Sequence, residues 1–267
     1  GKQTSTVGIP GTGVYYRTSS SGSKKNKDGL FGFGSSSDKK DSGDEKKVAT
    51  TSNSSNEEAV SAVEEYNQYI NDLKSVHKMS DGSINWNEAS SNDELKEYAP
   101  GVLAGDIDTY LRVIEAIKPF DDLLDFGSGF EAGTDSRDAI EIEFSVKSKD
   151  VIPDKELSLT STGKLSEKAM SKSEYYDLLL DYCSSVVIRV ARDTIALLPV
   201  NEVLINAVDT VTNSATGFDE EITIMSARIT RQQLESVNMD RIDPSDALKA
   251  FGCKVSFKKT SGFEAVE

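Results

Sequence analysis

Apolar side chains recur every three or four residues in three stretches of the chain, and this spacing predicts three helices. The predicted helices cover residues 56–79, 106–118 and 173–198. Ser171 and Glu174 have the spacing of a capping box at the start of the third helix, and Pro199 ends it. A polar residue at every fourth position of the third helix predicts one solvated or ion-paired stripe. Its members are Asp177, Asp181, Ser185, Arg189 and Asp193.

A period of two marks one further stretch, where Ile140, Ile142 and Phe144 alternate with polar residues. This alternation predicts a half-buried strand with a charged outer face. Three more strands are predicted over 202–211, 221–229 and 253–258, with short helices from Arg231 and over 247–251, and a loop over 148–172. The predicted core brings together Leu179, Val186, Ile188, Ile205, Ile224 and Phe144.

The order of these elements predicts an α/β (α+β) fold, in which N-terminal helices are followed by a β-α-β-β-α-β unit from residue 138. Ferredoxin-like folds have this order, and so do other α/β layers. The body of the protein, residues 57–267, then divides into a helical part, 57–127, and a mixed-sheet part, 138–267.

The composition changes before this body. Residues 18–56 are rich in Ser, Gly, Lys and Asp and contain few large apolar side chains. Such a segment cannot bury enough apolar surface to offset the entropy of ordering it, so we predict a flexible linker.

Two parts of the chain carry a resemblance. Residues 5–16 include the run Val7-Gly8-Ile9-Pro10-Gly11-Thr12-Gly13, and this run resembles the closing segment of a small β-rich bacterial domain of unknown function. The resemblance implies that residues 1–17 are the remnant of such a domain. The body resembles an uncharacterised bacterial α/β family, through the residues Ile70, Leu73, Lys74, Ser75, His77, Lys78, Ile84, Trp86, Asp243-Pro244-Ser245-Asp246, Phe257-Lys258-Lys259-Thr260 and Gly262-Phe263. That resemblance implies a bacterial protein and assigns neither a substrate nor a catalytic residue.

Charge is unevenly distributed along the chain. The formal net charge is −15, and residues 1–50 carry nine Lys or Arg against five Asp or Glu, which leaves −19 for the remainder. A body this acidic repels phosphate backbones, which argues against nucleic acid as its partner and in favour of protein. The two cysteines, Cys183 and Cys253, lie in apolar segments and are expected to be buried free thiols, which suits a reducing compartment. No apolar stretch long enough for a membrane span and no signal peptide is visible, so a cytoplasmic protein without membrane contact is expected.

One glycine motif is a candidate for cofactor binding. The run from Leu123 to Gly129 resembles the first motif of Rossmann-type methyltransferases, with Asp125 before Gly127 and Gly129. Glu131 stands where the third glycine of that motif is expected, and the preceding residues favour helix over strand. A helix end at Gly127 is therefore the favoured interpretation, and no cofactor is expected.

Carboxylates and the single histidine are the other candidates for chemistry. Asp138, Glu141 and Glu143 could bind a divalent metal, as in nucleases, although Lys147 is not at the usual spacing of two residues. His77 falls on the apolar stripe of the first helix, so a structural imidazole is favoured over a catalytic base. We therefore expect a non-enzymatic binding module. A metal-dependent hydrolase at Asp138, Glu141 and Glu143, and a cofactor binder at Gly127 and Gly129, remain the alternatives.

Overall fold

The structure is a computed structural model that describes residues 3–4, 19–20, 51–80, 82–213 and 215–267, with side chains from Asn56 onward. Strands β1 (Gln3–Thr4) and β2 (Ser19–Ser20) pair antiparallel. Most of the predicted remnant domain and of the predicted linker lies outside the described residues. The first long helix begins at Thr51, so the last six residues of the predicted linker are helical. Among the helices described, none combines the length and the apolar character of a membrane span.

The described residues of the body include eight α-helices. They are α1 (Thr51–Ser75), α2 (Ala99–Ala104), α3 (Ile107–Ile117), α4 (Asp121–Leu124), α5 (Ser148–Val151), α6 (Lys172–Leu197), α7 (Arg231–Glu235) and α8 (Pro244–Ala250). A 3-10 turn, Val76–Lys78, extends α1, and another covers Ala89–Ser91. The remaining strands are β3 (Gly129–Gly133), β4 (Ala139–Ser145), β5 (Lys155–Leu159), β6 (Leu165–Ala169), β7 (Glu202–Thr212), β8 (Asp219–Thr230), β9 (Lys254–Lys258) and β10 (Gly262–Glu264).

Helix α6 is the centre of the core. Its predicted capping box is present, because the Ser171 side chain accepts from the Glu174 amide and Glu174 accepts from the Ser171 amide. The helix packs against β7 as well as against α1 and α8, which explains why most of its residues are buried. All six residues of the predicted core lie in one buried cluster, each at most 4% exposed.

The central sheet has six strands in the order β10-β9-β8-β7-β4-β3. Strands β4 and β7 are parallel, with α6 between them in the sequence, and every other neighbouring pair is antiparallel. The α/β class is therefore confirmed. The ferredoxin-like alternative is not, because β4 and β7 are adjacent, whereas a split βαβ unit places another strand between them.

Two segments differ from the sequence prediction. Strand β3 follows a turn where only a helix end was expected, and residues 148–172 contain α5 and the β5–β6 hairpin instead of a loop. The hairpin packs against α1, but most of its side chains are exposed. It therefore lacks the strict apolar alternation on which the prediction of strands depended.

Candidate functional site

The outer face of the central sheet, on the side away from α6, carries polar side chains in a regular pattern. Along β4, the residues Ile140, Ile142 and Phe144 are buried, whereas Glu141 and Glu143 between them are exposed. Strand pairing places Glu131 of β3 directly opposite Glu143. Because residues opposite each other share a face, the two glutamates stand side by side on the outer face.

Three glutamates on this face repel one another, and we call Glu131, Glu143 and Glu221 the acidic corner. Burial raises the pKa of Glu131, and the charges of Glu143 and Glu221 raise it further. Burial likewise raises the pKa of Glu143, with a contribution from Glu221. Within the described residues, none of the three forms an ion pair with Lys or Arg.

Another glutamate of the same face has a partner. Glu202 of β7 accepts a hydrogen bond from Arg228 of β8, with a Nη1–Oε1 distance of 2.6 Å. The outer face therefore contains both a matched and an unmatched carboxylate region. The raised pKa values on this face belong to Glu131 of β3 and Glu143 of β4.

Strand β3 is an edge of the sheet. Among the described strands it pairs only with β4, and its backbone makes no other hydrogen bond to the described residues. A small apolar groove lies beside this edge. Its walls include Ile114, Lys118, Phe120, Leu124, Phe130 and Ala132. The inward-facing residues Phe130 and Ala132 of β3 thus form one wall, with Glu131 between them on the opposite face.

The three metal candidates are only partly brought together. Glu141 and Glu143 share the outer face, but Asp138 precedes β4 and borders a different cavity, where its carboxylate approaches the Asn201 amide at 3.5 Å. In the described part of the chain, no group of three His, Cys, Asp or Glu side chains has an arrangement that could hold a metal ion.

The glycine motif has the opposite order to that of a Rossmann cofactor site. Helix α4 leads into a turn at Gly127, whose φ is +101°, and Gly129 then starts β3. A Rossmann phosphate loop has the order strand, turn, helix, and this order places the ligand at a helix N-terminus. Here Ser128, between the two glycines, is buried. Its Oγ donates to the Val146 carbonyl at 2.9 Å and lies 2.7 Å from the Tyr182 hydroxyl.

His77 lies inside the protein, in the 3-10 turn after α1. Its Nδ1 is 2.8 Å from Ser185 Oγ, and its backbone amide donates to the same hydroxyl at 2.9 Å. Burial lowers the pKa of His77, and the positive charges of Lys78 and Arg192 lower it further. Only 3% of His77 is exposed, and its contacts with Ser185 link the 3-10 turn to α6.

The polar stripe of α6 divides into two kinds of environment. Asp177 and Asp181 are partly exposed and pair with Lys259 at 2.9 Å and Lys74 at 3.6 Å. Farther along the helix, the Arg189–Asp193 pair is almost completely buried, and Arg189 also reaches Asp122 of α4 at 3.2 Å. The polar stripe is therefore ion-paired in the core as well as near the surface. The fourfold spacing alone does not reveal this difference.

Sequence reasoning missed the edge strand and its groove. The alternation of Phe130 and Ala132 with Glu131 was the available signal, but it covers too few residues to be distinguished from a loop. Comparison with known proteins adds no assignment, because no protein-family model, no curated protein and no solved structure matches this chain.

Proposed function

We propose that the body of this protein is a non-enzymatic binding module that accepts an extended, basic segment of a partner protein as an additional strand along β3. The observation that carries the proposal is the position of the unpaired edge, between an apolar groove on one face and the acidic corner on the other. A bacterial, cytoplasmic protein with a protein partner, as expected from the sequence, fits this function.

Strand addition follows from the geometry of a sheet edge. The backbone of an added strand would hydrogen-bond to the free N–H and C=O groups of β3, and its side chains would alternate between the two faces. Apolar side chains would enter the groove beside Phe130 and Ala132. Side chains opposite Glu131 would lie on the outer face, where Lys or Arg would meet the acidic corner.

Charge supports a basic partner over a neutral one. The raised pKa values of Glu131 and Glu143 reflect carboxylates that are partly desolvated and close to like charges. A bound cation would offset both effects, so binding should release any protons held by these groups and weaken as salt screens the attraction.

The direct test is titration with two peptides of opposite charge. The probes are an N-acetylated, C-amidated peptide of alternating Lys and Val, and its Glu and Val counterpart, each measured by fluorescence anisotropy at low and high salt. The Lys peptide should bind and lose affinity with salt, whereas the Glu peptide should not bind. Equal affinity for both peptides would contradict the proposal.

Matched variants locate the binding surface. The double change Glu131→Gln and Glu143→Gln should weaken the Lys peptide about tenfold, because each lost charge contact contributes up to ~1 kcal/mol. Glu94→Gln is the control, since Glu94 is exposed and lies outside the sheet. Equal losses in both variants would indicate attraction to overall charge and not to the acidic corner.

The hydrolase alternative can be tested with the unmodified protein and a Glu143→Gln variant. If added Mg²⁺ raises the melting temperature of the unmodified protein but not that of Glu143→Gln, the outer face binds metal and the binding-module proposal is wrong.

A further inference from the structure

A second cavity opens at another place in the helical part of the body, and it shares no lining residue with the groove beside β3. It lies between the C-terminal end of α2, the first turn of α3 and the segment that leads into β4. Its cavity volume is about 210 Å³. Its walls include Val102, Leu103, Tyr110, Arg137, Asp138 and Pro199. A mixture of apolar walls with a few polar groups is a feature of small-molecule sites.

Tyr110 is the buried polar residue of this cavity. Only 2% of it is exposed, and its hydroxyl makes no hydrogen bond to the described residues. Burial raises the pKa of Tyr110, the charge of Asp138 raises it further, and the charge of Arg137 lowers it. A hydroxyl held in this way has a donor and an acceptor available to a ligand.

Arg137 and Asp138 bring opposite charges to the same cavity. Neither forms an ion pair within the described part of the chain, and there the Asp138 carboxylate accepts one hydrogen bond, from the Asn201 side chain at 3.5 Å. Gly105 contributes to the placement of Arg137, because a Cβ added at this glycine would lie 3.3 Å from the arginine side chain. The φ of Gly105 is +73°, so the position disfavours other residues as well.

We propose that this cavity binds a free α-amino acid with an apolar side chain. Arg137 receives the carboxylate, Asp138 receives the ammonium group, and the Tyr110 hydroxyl donates to the carboxylate. The ligand side chain packs against Val102, Leu103 and Pro199. Leu103 is 53% exposed, so a ligand here would cover apolar surface that now faces water. This inference goes beyond the proposed strand-binding function and does not depend on it.

The experiment compares three probes that differ by one charge each: L-leucine, L-leucinamide, which lacks the carboxylate, and 4-methylpentanoate, which lacks the ammonium group. Binding is measured by calorimetry and by the shift in melting temperature at millimolar ligand. L-Leucine should bind saturably, and each analogue should bind about tenfold more weakly, since each loses one charged contact. Absence of saturable L-leucine binding would overturn the proposal, and tighter binding of leucinamide would reassign the cavity to the N-terminal residue of a peptide.

Variants then assign each contact. In Arg137→Gln, L-leucine should bind no better than leucinamide does, and in Asp138→Asn it should bind no better than 4-methylpentanoate. Tyr110→Phe should weaken L-leucine severalfold. Arg228→Gln, on the outer face of the sheet, should leave binding unchanged. Because the three probes are compared on the unmodified protein, the proposal can fail even if a variant does not fold. Unchanged L-leucine binding in both charge variants would place the ligand elsewhere.

Discussion

The two faces of the central sheet treat charge in opposite ways. On the inner side, under α6, the Arg189–Asp193 pair is nearly inaccessible, and the two charges neutralise each other. On the outer side, Glu131 and Glu143 lie opposite each other on neighbouring strands, and neither pairs with a Lys or Arg of the described residues. Unpaired buried charges cost several kcal/mol, so pairing in the core is required for stability. Like charges side by side on the outer face slightly destabilise the fold, and stability alone does not explain them. This contrast supports the proposal that basic side chains of a partner meet the outer face beside β3.

The largest expected effect is the loss of the buried ion pair. Asp193→Ala should lower the free energy of unfolding by about 3–5 kcal/mol, because Arg189 stays buried and loses the charge of its buried partner Asp193. Chemical denaturation gives this value. Asp177→Ala is the matched control on the same helix, where an exposed pair with Lys259 contributes at most ~1 kcal/mol. Similar losses in both variants would remove the distinction between the two environments.

The second largest effect is expected when a buried side chain of the inner face is shortened and leaves a cavity. Ile205 is fully buried in β7, and Ile205→Ala should cost about 2–4 kcal/mol, since the lost contacts are only partly replaced when the site relaxes. The comparison is Asn206→Ala, one residue later on the outer face, which should change the unfolding free energy by less than ~0.5 kcal/mol. A small loss for Ile205→Ala would mean that β7 is packed loosely against α6.

His77 should make the inner side sensitive to acid. Its pKa is lowered on folding, so the unfolded chain takes up a proton first, and stability falls as the pH drops below about 6.5. The loss levels off once the pH is below the pKa of the folded state. Lys78 and Arg192 oppose protonation, and Asp243 favours it.

The measurement is unfolding free energy against pH for the unmodified protein and for His77→Gln. The variant should lack this descending limb, while the contribution of the glutamates remains common to both. If the two curves stay parallel between about pH 7.5 and 5, the range in which a histidine titrates, His77 does not cause the loss of stability in acid.

The smallest effects are expected on the outer face, where two glutamate variants should change the stability in opposite directions. At pH 7, Glu143→Gln should increase the free energy of unfolding by less than ~0.5 kcal/mol and raise the melting temperature slightly. The reason is that it removes like-charge repulsion from a partly exposed site. The gain should vanish at low pH, because a carboxyl group with a raised pKa regains stability when it is protonated on acidification. Glu202→Gln should instead lower the melting temperature, since Glu202 pairs with Arg228. The same sign for both variants would mean that the acidic corner is not electrostatically crowded.

The sequence predicted best those elements whose signal is long. Helix α6 has a capping box, 26 helical residues and a proline shortly after its end, and the strand alternation around Ile142 covers a whole strand. Such patterns restrict the fold because each residue adds to the same period. The short strand β3 and the exposed hairpin of β5 and β6 lack this repetition, so neither was predicted.

The candidate site was only half visible for a related reason. The sequence shows that Glu141 and Glu143 share a face, because this follows from the period of one strand. The pairing of Glu143 with Glu131 depends on the register between strands, and the approach of Glu221 depends on the long β7–β8 hairpin. Cavities depend on several elements at once. Asp138, which the sequence offered only as a candidate for an alternative metal site, therefore borders the cavity of Tyr110 instead of meeting Glu143.

The most direct test of the account is residue-resolved hydrogen exchange across the central sheet, with and without the Lys–Val peptide. An added strand would bond to the outward-pointing amides of β3, which alternate along the strand. The account predicts that these amides between Gly129 and Gly133 become protected when the peptide binds, while those of the opposite edge strand β10 do not change. Peptide binding with unchanged exchange in β3, or with protection at β10, would contradict it.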